Sequence, residues 1–215
     1  MRQHDSIPEL LRVNIARELI LAVEDAFAVG ARRAYSAAQG MDEGHLPHVV
    51  GQLRHFHLNE TFHQTLSTNH ASPSPIKGSG IITGRAGIFT LARFNSRDTL
   101  WNSARRSQTR RQMALANRAI EPLVQPELFF PYTPPTGAVV FFVACFAGSL
   151  SIQPDSPVSI QLAVPDRHLQ KWLFRESLET FIQRYDVSSA MQDDFARPKL
   201  KKNFGKQIDK DGTTS

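Results

Sequence analysis

From Ala138 the chain runs Ala-Val-Val-Phe-Phe-Val-Ala-Cys-Phe-Ala with no polar side chain, the longest apolar stretch in 215 residues. It is too short to span a bilayer. Alternate positions are apolar on both sides, so it reads as a central strand buried on both faces. Any fold for this chain must build a sheet around it. Pro154 and Pro157 mark a turn after it. Beyond them Val158, Ile160, Leu162 and Val164 alternate with Ser159, Gln161 and Ala163, the pattern of a half-buried partner strand.

Other elements follow from punctuation. Ser6-Ile7-Pro8-Glu9 has the form of a capping box with proline in the first turn. It predicts a helix to about Ala38 carrying Leu11, Ile15, Leu19, Ala22, Ala26 and Val29. Pro47 predicts a second helix reaching Leu66. Residues 71–80 include Ser72-Pro73-Ser74-Pro75 and read as a linker. Ile81-Ile82-Thr83 and Ile88 to Phe94 flank Gly84-Arg85-Ala86-Gly87, a hairpin signal. Asn95 to Asp98 offer caps for a helix that Pro122 and Pro126 close near Leu123. Asp166 is expected to cap a last helix through Leu169, Leu173, Phe174, Leu178 and Phe181. A shift of 71 positions superposes Leu91-Ala92 on Leu162-Ala163 and Trp101 on Trp172, suggesting two similar hairpin–helix units.

The expected fold class is therefore α+β: an N-terminal helical pair, then a roughly four-stranded, mostly antiparallel sheet. Two ββα units would build that sheet, with their helices on one face. The expected organisation is a helical region (1–70), a linker (71–80), an α+β domain (81–190) and a basic, disordered tail (191–215).

Charge is segregated. Residues 81–126 hold eight arginines against two acids, and residues 127–196 hold four basic side chains against eight acids. Between Thr99 and Ile120 stand Arg105, Arg106, Arg110, Arg111 and Arg118 with no carboxylate. Uncompensated like charges on a helix call for solvent screening or an anionic partner. On one continuous helix, Leu115, Ala119, Leu123, Ala116, Ile120 and Met113 would form the apolar stripe, with Arg106, Arg110, Arg111 and Arg118 opposite. Those four arginines would meet phosphates, with Gln112 or Asn117 available to base edges. Arg105 falls inside the apolar stripe, and Lys201 and Lys202 in the tail would add non-specific attraction. Neutralising about five phosphates would give a log–log salt slope of roughly −4 to −5. The expectation is a non-catalytic protein binding DNA or RNA. The alternative is a protein-interaction module whose arginine face meets an acidic protein, with Phe129, Phe130 and Tyr132 as an aromatic edge.

Six of eight histidines lie between His45 and His70. His57, Glu60 and His63 stand at i, i+3 and i+6, with a Glu-x-x-His spacing used in carboxylate-bridged metal sites. This is the third reading, a metal-dependent hydrolase. The His-Glu-x-x-His metalloprotease pattern is missing, the Gly78–Gly84 spacing fits neither nucleotide loop, and no cofactor is implied. One cysteine, Cys145, excludes an internal disulfide and sits mid-strand as a buried thiol. A cytoplasmic protein without membrane attachment is expected.

Overall fold

The computed structural model of the protein describes residues 6–97, 101–124 and 134–195. It is α+β: helices come first, then a mixed sheet of five strands, one more than expected. The helices are α1 (Ile7–Asn14), α2 (Arg17–Ala38) and α3 (Leu46–Thr68). The strands β1 (Thr83–Ala86), β2 (Phe89–Arg97), β3 (Ala138–Phe146), β4 (Ser159–Pro165) and β5 (Trp172–Ser177) lie side by side in chain order. A short helix, α4 (Gln108–Ala114), lies between β2 and β3, and α5 (Leu178–Phe195) follows β5. All neighbouring pairs are antiparallel except β2 and β3, which run parallel in the register Phe89↔Ala138 to Arg97↔Phe146.

All nine residues of β3 are buried, as its two-sided apolar pattern requires. Phe142, Ala144 and Phe146 face the larger core, which α1, α2, α3 and α5 cover with Leu11, Phe27, Leu58, Phe62 and Phe181. Phe62 stands 5.9 Å from the Phe142 ring and 5.9 Å from Phe27. Burying each such ring contributes roughly 1.5–3 kcal/mol. Val139, Phe141, Val143 and Cys145 face a second, smaller core with Ala104 and Ala114. The α4 segment therefore covers the face opposite α5, so the helices do not share one face. Strand parity forces this outcome: a strand apolar on both sides needs a layer on each.

The helical region and the sheet share the larger core. Segment 71–80 runs along β1, with Ser74 N–H on the Thr83 carbonyl (2.7 Å) and Arg85 N–H on the Ala71 carbonyl (2.6 Å). The first predicted helix is broken at Ile15 and Ala16, both extended. Asn14 explains the break. Its Nδ2 donates to the Leu10 carbonyl (2.9 Å), and its Oδ1 accepts from Ile88 N–H (3.1 Å) in the β1–β2 turn. At that turn Gly87 has φ +53°, and a Cβ there would stand 1.9 Å from Asn14 Oδ1. Only glycine fits. Ser6 makes no side-chain cap bond; Glu9 pairs with Arg12 instead.

Beyond β4 the expected helix is delayed. Asp166 does accept backbone N–H groups, from Gln170 (2.6 Å) and Lys171 (3.3 Å), but it closes a hairpin loop leading into β5. Trp172 thus lies on a strand, and helix α5 starts at Leu178, where Ser177 Oγ accepts from Thr180 N–H (3.2 Å). The second hairpin carries a third strand that the first lacks.

Candidate nucleic-acid interface

The arginine segment is not one helix. It comprises a 3₁₀ turn (Trp101–Arg106), α4, and two further 3₁₀ turns (Leu115–Ala119 and Glu121–Leu123). Ser107, extended at φ −89° and ψ 120°, interrupts the winding and restarts it by accepting from Arg110 N–H (3.3 Å). Asp98, an expected cap, lies outside the described residues, and Asn95 belongs to β2. After Ala114 the tighter winding shifts the phase of every side chain. Leu115, placed on the apolar stripe by a continuous-helix count, is exposed, while Ala114 and Ile120 are buried.

This winding sorts the predicted contacts. Asn117 is fully buried. Its Nδ2 donates to the Val139 carbonyl (3.1 Å) and the Pro165 carbonyl (2.7 Å), and its Oδ1 accepts from Val139 N–H (2.6 Å). It latches the segment to β3 and β4, and no base edge can reach it. Arg105 is exposed but committed: Nε and Nη2 donate to the Leu169 and Gln170 carbonyls, each at 2.6 Å. Arg110 donates from Nε to the Ala104 carbonyl (3.0 Å) and lies 4.8 Å over the Phe94 ring. Burial lowers its pKa.

Arg106, Arg111, Arg118 and Gln112 are exposed. Among the described residues, none of these three arginines has a carboxylate within ion-pair distance. Glu121, three residues after Arg118, accepts instead from Arg167 N–H (2.8 Å) and faces its guanidinium at 3.5 Å. Three of the segment's five arginines thus keep open guanidinium groups. Lys201, Lys202, Phe129, Phe130 and Tyr132 lie outside the described residues.

The histidine cluster closes only in part. His57 Nδ1 stands 3.2 Å from Glu60 Oε2 on α3, and His63 does not join them. No group of three or more His, Cys, Asp or Glu side chains among the described residues is placed to hold a metal ion. Among the described residues the metal-dependent reading has only the His57–Glu60 contact behind it.

Sequence reasoning missed two inward arginines. Arg93 on β2 is 2 % exposed and has only neutral partners. Nε donates to Asn59 Oδ1 (3.0 Å), Nη1 to Asn95 Oδ1 (3.0 Å) and Nη2 to the His55 carbonyl (3.1 Å). Desolvation brings its pKa down to about 9. Arg54 on α3 is 8 % exposed and lies 4.0 Å over the Phe146 ring. Both were visible as a charge inside an apolar pattern: Arg93 between Ala92 and Phe94, and Arg54 on the stripe of Val50, Leu58 and Phe62.

Compared with protein-family models, curated proteins and solved structures, the chain shows no match. No helix among the described residues is long and apolar enough to cross a membrane.

Proposed function

We propose that this is a non-catalytic accessory or regulatory protein that binds nucleic acid through the outer surface of the α4 layer. Arg106, Arg111 and Arg118 would contact phosphates, with Gln112 beside them as a donor to phosphate or base edge. The observation that carries this reading is that these three guanidinium groups stand exposed with no carboxylate partner among the described residues. Arg105 and Arg110 tie the segment down: their bonds to backbone carbonyls fix it before any ligand arrives. Such preorganisation lowers the ordering cost of binding.

Three phosphate contacts predict a log–log salt slope of about −2.7 on duplex DNA and about −2 on single strands, shallower than the five-arginine count implies. The test is retention of labelled duplex DNA and single-stranded RNA from about 50 to about 200 mM salt. The Arg106→Ala/Arg111→Ala/Arg118→Ala variant should lose retention and flatten the slope. Unchanged retention at low salt would remove the reading. A partner that stays bound to the arginine surface after nuclease treatment would favour an acidic protein instead.

A further inference from the structure

The parallel strands β2 and β3 end side by side at Arg97 and Phe146. The strands follow chain order with no switch point, so the side chains at this end decide what it can bind. Here that end is cationic. Arg93, Asn95 and Arg97 occupy alternate positions of β2 and start on the face covered by α3, because Arg93 bonds to Asn59 and His55 there. Arg97, the register partner of Phe146, is exposed. From α3, Arg54 stacks on that same Phe146 ring.

Arg54 is incompletely satisfied. Its Nη2 donates to the Pro154 carbonyl, its Nε is buried without an acceptor, and Nη1 has no protein acceptor among the described residues. An orphaned donor in a nine-tenths buried guanidinium costs the full desolvation of that group. Among the described residues, no carboxylate forms an ion pair with Arg54, Arg93 or Arg97. Asp155 follows Pro154 directly and still makes no such pair. Buried cations are ordinarily offset by an anion; among the described residues none does so here.

We propose that the carboxyl end of the β2–β3 pair binds a phosphate-class anion, with Arg54 and Arg97 donating to its oxygens and Arg93 supplying uncompensated charge behind them. The geometry suits a planar fork on one side and an exposed surface arginine on the other. The site is distinct from Arg106, Arg111 and Arg118, which lie on the other face of the sheet.

Thermal unfolding of the full chain at fixed ionic strength tests this, with inorganic phosphate titrated against chloride. Phosphate should raise the midpoint, and above the dissociation constant the rise should grow with the logarithm of its concentration. Arg97→Gln should weaken the apparent affinity about tenfold, the loss of one charge-assisted bond. Arg54→Gln should abolish the effect. Should Arg54→Gln fail to fold, Arg97→Gln, an exposed position, still decides the matter. The Arg106→Ala/Arg111→Ala/Arg118→Ala variant should keep the wild-type response. A nucleoside 5′-monophosphate compared with its nucleoside separates a nucleotide ligand from free phosphate, and either positive arm supports the site. The proposal is overturned if phosphate raises the midpoint no more than chloride does, if Arg97→Gln leaves the shift unchanged, or if the triple variant removes it.

Discussion

On the α3 side of the sheet, Arg54 and Arg93 turn inward and find a ring, two asparagine oxygens and backbone carbonyls. On the α4 side, Arg106, Arg111 and Arg118 turn outward and find no carboxylate among the described residues. The residue type is the same on both sides. Strand parity and the phase of the α4 segment decide the difference. The excess positive charge of residues 81–126 is therefore no count of the guanidinium groups open to a ligand. Arg93, Arg105 and Arg110 already donate to the protein itself.

Perturbing each side in turn should break or sharpen that contrast. The largest effect is expected at the latch beneath the outer surface. Asn117→Ala removes three buried hydrogen bonds and should cost about 3 kcal/mol, read from urea unfolding. A loss well under 1 kcal/mol would mean that the α4 layer is held by its apolar contacts alone. Next comes Arg93→Ala, which leaves Asn59, Asn95 and His55 acceptors unpaired and a void under α3. Relief of a desolvated charge offsets part of that, so about 2 kcal/mol is expected. By contrast, the outer triple arginine variant should leave the urea midpoint where it was and reduce only the salt slope of duplex binding, by about 2.7. A large shift in its midpoint would erase the distinction between the two faces.

The smallest effect is a pH dependence. Burial lowers the pKa of His55, and the charges of Arg93 and Arg110 lower it further, against the Ser79 carbonyl bond that raises it. The unfolded chain then binds the proton first as the pH falls, so stability is full above about 6.5 and declines toward the lower folded value. His55→Gln should remove that decline between pH 7 and pH 5. An unchanged profile in the variant would assign the decline to other groups.

Legibility in the sequence varied with how local the governing physics is. β3 was readable because ten apolar residues in alternation leave no other placement. The β4–β5 hairpin reads as a helix start because an aspartate accepting backbone N–H groups a few residues on, here four and five, serves both structures. No proline or glycine from Trp172 to Ser177 separates strand from helix there. Asn117 looked like a surface amide beside Arg118; only the contact with Val139, 22 positions away, makes it a latch. The arginine surface was legible in composition, and its division into committed and open guanidinium groups was not. That division depends on the restart at Ser107 and on carbonyls of the β4–β5 loop more than 60 residues downstream.

The Tyr185 hydroxyl donates to the Ile15 carbonyl at 2.6 Å, joining the interruption between the first two helices to the last helix across 170 positions. Leu178 and Phe181 enter the same core as Leu11 and Leu19. A chain emerging from the ribosome therefore makes its first helices long before their apolar surface can be sealed. Until α5 is released, that surface is the segment most in need of a chaperone.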